Sequence, residues 1–461
     1  MDVVSREPLE DFEVVRVEAR RRVEGFGEGI VGLDRRSRFA STHAGGAVRS
    51  GLSSEPREPV RNMVLGILRE TAVGERRVAT TPAAVERLRK IGVEVLVEAG
   101  AGSAAGFDDD AYRRAGAAVL SRSEVLDRAD TLAMVRVPSD PRVPIDDLEA
   151  CCTAGRTVIG LAEPFGDPER LEAVAARGAA VMALELLPRI TRAQSMDVLS
   201  SQATIAGHKA VLLGAVELDR MLPMLMTAAG TLAASRVLVI GAGVAGLQAL
   251  ATARRLGAVT SGYDIRAAAA EQVESVGARF VDLGLEAEDG EAAGGYAKAM
   301  GESFETEQRR RLGAVAAEHE IVIATAAVPG RQAPRLLDAA AVAAMPRGGV
   351  VVDLAAERGG NCELSKAGER VEHEGRVVLG PVDLASSVPH HASLMFSRNV
   401  AAFVALLAEK GVPSLVEARE GRHVDPEADE ILRDTLLCRD GKVVSMRVLE
   451  SRGVPSSEAT P

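Results

Sequence analysis

Two groups of residues have types and spacings that suit chemistry. The first lies in PRITRAQSMDVLSSQATIAGHKAV, Pro188–Val211, where Arg189, Arg192, Gln194, Asp197 and two serines lead into an apolar helix. If that helix begins near Ala193, then Gln194, Asp197 and Ser200–Ser201 recur at helical spacing and share a face. Asp197 near its start also suits the helix dipole. Two readings stay open: N-capping with interdomain hydrogen bonds, or a face that holds a nicotinamide across a cleft. The reaction type follows from what is scarce. Reducing a carbonyl with NADH needs a proton donor for the developing alkoxide, usually His or Lys. The seven histidines are His43, His208, His319, His373, His390, His391 and His423, and none stands at a strand end of the first domain. Passing hydride between two nicotinamide rings needs no acid or base. It needs two rings brought close, with their carboxamides and riboses held by hydrogen bonds. Arg189, Gln194, Asp197 and Ser200 suit that task, with Glu357 and Lys209 available as shuttles for the alternative.

The second group is G-x-G-x-x-G, formed by Gly241, Gly243 and Gly246. It follows the strand-like VLVI and opens the helix-like LQALATARRLG. The first glycine permits a tight turn, the second lets backbone approach a pyrophosphate, and the third lets helix pack on strand. The helix N-terminus then offers free N–H groups to the phosphates. Asp264 ends the next strand, where a carboxylate accepts two hydrogen bonds from an adenosine ribose. It would repel a 2′-phosphate, so NAD is expected over NADP. Arg266, two residues on, is the residue that reopens NADP. Val244, Ala245, Ile265 and Ala326 are assigned to the same cofactor site. No metal site is expected.

The elements that must position these residues read as α/β: two Rossmann-like doubly wound domains with a cleft between them. Of 461 residues, 47% are hydrophobic and only 3% aromatic, so Ala, Val, Leu and Ile must build the cores. Residues 1–62 read as a poorly ordered extension. Residues 63–199 with 391–445 form the first, discontinuous domain, 200–390 the NAD-binding Rossmann domain, and 446–461 a tail. HASLMFSRNVAAFVALLAEKG reads as a long amphipathic helix that crosses back to the first domain. The net charge of -11 argues against a nucleic-acid surface. Cys151, Cys152, Cys362 and Cys438 show neither metal-ligand spacing nor a disulfide framework, which points to a reducing cytoplasm. The longest uncharged stretch, Val237 to Ala253, falls short of the roughly 20 residues a membrane span needs.

GERRVATTP, PRITRAQSMDVLSSQATIAGHKAV, VLVIGAGVAGLQA, GGYAKAM, VDLAAERGGNCE and ASLMFSRNV together resemble the NAD(H)-binding component of proton-translocating NAD(P) transhydrogenase, its α subunit. The likeness covers roughly residues 63–410, and RAQSMD and GGNCE are its most specific blocks. It implies a homodimer that binds NADH between two domains and passes hydride to NADP(H) on a separate β subunit. A membrane subunit would couple that step to proton movement, with this chain peripheral to the inner membrane through its partners only. By matching motif, Arg189, Gln194, Asp197 and Ser200 face the nicotinamide, its ribose or the pyrophosphate, and Gln194 reaches towards the NADP(H) site. Gly295 and Tyr296 fall in GGYAKAM, which matches a mobile loop that closes on nucleotide; by itself the segment reads only as a flexible connection. Alanine dehydrogenase is a more distant likeness. It implies that Arg77 binds a substrate carboxylate, that Arg136 replaces a lysine, and that Gly160 stands where a catalytic histidine belongs. Glu357 matches an acid of that enzyme. GGNCE, Gly359–Glu363, is expected as a turn near the nicotinamide. His208 stands where a tyrosine is common in transhydrogenases.

Overall fold

The computed structural model describes residues 63–285, 291–292, 296–297, 302–327, 331–410 and 429–453. The expected extension 1–62, Gly295 and the tail beyond residue 453 lie outside them. Every described element belongs to one compact unit.

Two large sheets organise that unit. The first takes β1 (Val64–Ile67), β2 (Glu94–Glu98), β3 (Ala118–Leu120), β4 (Thr131–Arg136), β5 (Thr157–Leu161) and β6 (Ala180–Ala183). These run parallel in the order β3-β2-β1-β4-β5-β6. A small hairpin of β7 (Leu225–Thr227) and β8 (Gly230–Leu232) precedes the second sheet. That sheet takes β9 (Arg236–Ile240), β10 (Val259–Tyr263) and β11 (Arg279–Phe280). After the short pair β12 (Glu291–Ala292) and β13 (Tyr296–Ala297), it adds β14 (Ile321–Ala324), β15 (Val350–Asp353), β16 (Arg370–His373) and β17 (Arg376–Leu379). Its order is β11-β10-β9-β14-β15-β17-β16, all parallel except β16. The chain then returns to the first sheet. There β18 (Leu436–Arg439) pairs antiparallel with β6, and β19 (Lys442–Val443) with β18.

Both sheets are doubly wound. In each, the chain starts in the middle, lays two strands to one side, and then builds the other side. This leaves a crevice outside the carboxyl ends of the two central strands. The central strands read as continuous apolar runs because both faces are covered. Val237 and Val239 of β9 enter one core, and Leu238 and Ile240 the other. β4 alternates in the same way, with Ala133 and Val135 on one side and Leu132 and Met134 on the other.

The long helix Pro389–Glu409 puts Phe396, Val400, Phe403, Val404 and Leu407 into the first sheet's core. Among the described residues it alone is long and apolar enough to cross a membrane, but most of it is buried inside the protein. All four cysteines are free and buried, and burial pushes their thiols well above the ordinary range, which leaves them unreactive.

One local expectation needs correcting. No single helix runs from Ala193. Thr191–Met196 is a 3-10 turn, and the α-helix starts at Val198 with Asp197 as its N-cap. Asp197 takes an extended backbone because its carboxylate is worth more as a cap, accepting the Ser200 N–H at 2.9 Å. Gln194 and Asp197 therefore do not share a helix face.

Candidate functional site

The site is built at the carboxyl end of the second sheet, where β9 and β14 lie side by side. Gly241 leaves β9 with φ +97, a left-handed conformation that favours glycine, and its N–H donates to the Tyr263 carbonyl. A Cβ on Gly246 would stand 1.8 Å from the Gly241 carbonyl oxygen, so only glycine lets the helix Val244–Arg255 pack there. Gly243 is different. It caps that helix, and a Cβ on it would meet nothing within 4 Å. Its free space lies directly over the helix N-terminus, where backbone N–H groups have no intrahelical partner.

A cavity of about 560 Å³ opens at this point. Gly241, Gly243, Val244 and Ala245 line it, with Asp264, Ile265 and Arg266 at one end and Ala326 opposite. Arg189, Leu199 and Ser200 bring in the first residue group. The charged lining side chains are four arginines, at 189, 266, 331 and 335, and two acids, Asp264 and Glu305. This excess of positive charge matches the two negative charges of a pyrophosphate. The open space at Gly243, the exposed N–H groups and the strand-end acid fit an adenine dinucleotide such as NAD(H).

Residues remote in sequence hold this lining in place. Asn361 of GGNCE is fully buried and clamps Ala326, accepting its N–H at 3.0 Å and donating to its carbonyl at 2.8 Å. Asn361 also donates to the Pro334 carbonyl, so GGNCE braces the loop after β14. Thr325 donates to the Gly241 carbonyl at 2.8 Å. Gly207 lets the helix Val198–Glu217 cross the glycine-loop helix closely, since a Cβ there would stand 2.1 Å from the Ala245 carbonyl oxygen.

Asp197 holds Ser200 through both its N–H and its hydroxyl, the latter at 2.5 Å. Gln194 is exposed and does not line the cavity. Its turn is pinned on either side. Arg192 makes a bidentate pair with Asp429 at 2.8 and 2.9 Å, and Asn399 donates to the Ser195 carbonyl. The hydrogen bonds from Arg192 hold the Asp429 carboxyl down at about 2.

The crevice of the first sheet, between β1 and β4, is filled by the protein's own charges. Arg77 is bound through two nitrogens by Glu75 and reaches Asp383 and Gln202. Arg136 meets Glu75 at 2.9 Å, Asp140 at 2.7 Å and Asp383 at 2.5 Å. Burial drives the Glu75 carboxyl upward, but the hydrogen bonds and charge of Arg77 and the charge of Arg136 outweigh it and hold it at about 2. Arg142 also binds Asp140 and reaches on to Glu357. At the neighbouring strand end, Glu185 accepts the N–H groups of Ala162 and Glu163 on Oε1, while Oε2 is buried without a partner. Burial, and then the charge of Glu163, push its carboxyl up to about 7.

This two-sheet plan is shared with known proteins. Residues 66–206 match the family described as alanine dehydrogenase/PNT, N-terminal domain, and residues 210–446 its C-terminal domain. The chain belongs to the alanine dehydrogenase/PNT family. It is 42% identical over 384 residues to the first portion of NAD(P) transhydrogenase subunit alpha of Rhodospirillum rubrum, a match that covers 83% of this chain and 98% of that one. The crystal structure of transhydrogenase from Sinorhizobium meliloti matches with a TM-score of 0.70 and 39% identity, covering 83% of this chain and 99% of that one. Alanine dehydrogenase of Mycolicibacterium smegmatis is 27% identical over 405 residues, 86% of this chain and 99% of that one. Within the alanine dehydrogenase/PNT family the chain is thus more similar to these transhydrogenases than to that dehydrogenase.

Of the residues expected at the site, Arg189, Ser200, Gly241, Gly243, Val244, Ala245, Asp264, Ile265, Arg266 and Ala326 line one cavity. Gly246 and Asp197 stand behind it. Gln194 stands outside it. Tyr296 lies on β13, but its side chain is not among those described, and Gly295 falls outside the described residues. Asn361, Thr325 and Gly207 were missed as site builders. Only Asn361 carried a clue, in the specificity of its GGNCE block.

Proposed function

We propose that this chain is the NAD(H)-binding subunit of an NAD(P) transhydrogenase. NADH in the cleft gives hydride directly to NADP+ held by a separate β subunit, leaving NAD+ here and NADPH there. A membrane domain on other chains couples that transfer to proton translocation, and the chain is peripheral to the inner membrane through those partners. The observation that carries this reading is the sealing of Arg77 and Arg136. A keto-acid dehydrogenase needs a cation free to take the substrate carboxylate. Here those guanidinium groups are buried, Arg77 held by Glu75 and Asp383 and Arg136 by Glu75, Asp140 and Asp383. No histidine lines the cavity among the described residues. Its polar groups are suited to clamp two carriers, and hydride transfer between them asks for alignment alone.

The chain's residues have distinct tasks in this scheme. The Gly243 backbone and the helix N-terminus hold the pyrophosphate, and Asp264 takes the adenosine ribose. Arg189 and Ser200, the latter held by Asp197, position the nicotinamide end. Gln194, exposed on its pinned turn, faces the second carrier. Two copies associate through the hairpin β7–β8, whose Met226 and Leu232 are exposed, as is Met224 beside it. The test is an assay of the purified chain with NADH. Turnover is expected only when an NADP(H)-binding β subunit is added. Turnover with pyruvate and ammonia alone would overturn the reading in favour of an alanine dehydrogenase.

A further inference from the structure

The acid at the adenosine end is not open to a ligand as it stands. A carboxylate offers about four lone-pair sites, and in Asp264 all four are met from within the chain. Oδ1 accepts the Arg266 N–H and Nε–H, each at 2.9 Å. Oδ2 accepts the Ala242 N–H at 2.7 Å and Arg266 Nη2 at 2.9 Å. Two of the four are bonds to the Arg266 guanidinium, which lies over the acid on the cavity wall. A ribose diol therefore reaches Asp264 only by displacing the guanidinium. A displaced guanidinium keeps its planar fork of donors and its charge, the features that recognise phosphate.

We infer that nucleotide choice at this site is set by the Asp264–Arg266 pair and not by the acid alone. Arg266 is a specificity-determining residue whose phosphate-binding capacity is held in check by Asp264. This rests on the reading of the cavity as an NAD(H) site and deepens it. If Asp264 acted only by repulsion, its neutralisation would relieve NADPH binding whatever stood at 266. If the pair decides, neutralisation releases Arg266 to take the 2′-phosphate, and the gain disappears without Arg266. Asparagine at 264 keeps an acceptor for the Ala242 N–H, so the turn retains its main-chain bond.

The experiment titrates NADH and NADPH separately into the full chain, by calorimetry and nucleotide fluorescence, at low and high salt. Wild type should bind NADH and discriminate against NADPH. Asp264→Asn should weaken NADH and tighten NADPH at least tenfold, with the gain shrinking at high salt. In Asp264→Asn/Arg266→Gln that tightening should be lost. Equal NADPH affinity in the single and double variants would overturn the inference while leaving the NAD(H) site intact. Arg266→Gln alone provides a second test that keeps the acid. With the shield gone, Asp264 should exclude NADPH more strongly, and discrimination should widen several-fold. Unchanged discrimination in that variant would also refute the pair. A wild-type chain that bound neither nucleotide would instead fell the cofactor reading itself.

Discussion

Two glycines of one loop do different work, and the same substitution tests each. At Gly243 a Cβ meets open space, so Gly243→Val should still fold, giving up only a good N-cap, yet fill the place proposed for the pyrophosphate. We expect only a small drop in melting temperature and at least a tenfold loss in NADH affinity by titration. At Gly246 the added carbon would collide with the Gly241 carbonyl. There Gly246→Val should cost stability first, read as a clear drop in melting temperature. For Gln194→Asn the expectation is slow hydride transfer to the partner with NADH still bound, measured by single-turnover mixing; undiminished transfer would remove Gln194 from the reaction. The glycine loop and Asp264 were legible in the sequence because their constraints are local: one turn, one strand end. Asn361 and Gly207 were not. Each acts on a residue tens of positions away, and no spacing rule connects Asn361 to Ala326 or Gly207 to Ala245.

The strands of both sheets announced themselves as apolar runs, because strands covered on two faces have little room for polar residues. The edge hairpins were less visible, although their turns carried a cue. Asp440 and Gly441 sit at φ 50 and 81, and Glu374 and Gly375 at 49 and 76, the left-handed pairs of tight two-residue turns. The helix start at Val198 was misplaced because a run of good hydrogen-bonding residues suits a cap as well as a helix. Two elements carry buried charge with opposite pH signatures. Glu75 titrates far below its ordinary 4.5, so its contribution is present above that value and is lost as pH falls towards 2. Glu185 is raised to about 7, so its contribution is full below 4.5 and is lost as pH climbs through 7. Urea unfolding between pH 5 and 8 should therefore show declining stability, on the order of 2 kcal/mol from this group. Glu185→Gln should lessen that slope, and the remainder should belong to Glu70, whose carboxyl burial pushes up to about 8. Arg136→Met leaves three carboxylates short of a partner and should cost about 3–5 kcal/mol in the same measurement.

On the scale of the molecule, association is the feature most open to test. Met226 is 78% exposed on a two-stranded hairpin that has no third strand among the described residues, an arrangement that is marginal unless something covers it. Met226→Asp should turn a dimer into monomers in light scattering while leaving the melting profile of the monomer intact. A dimer that persists would move the interface elsewhere. The two sheets are tied at their facing ends by Arg142–Glu357 at 3.0 Å and Arg358–Glu163 at 3.4 Å, all four side chains partly exposed. Pairs so placed are worth little individually and are weakened by added electrolyte. They act as loose catches, not as welds. The weld lies deeper, where Arg77 and Arg136 grip Asp383 largely out of reach of the solvent, so added salt should loosen only the rim of the cleft: nucleotide exchange should quicken modestly with concentration and then level off.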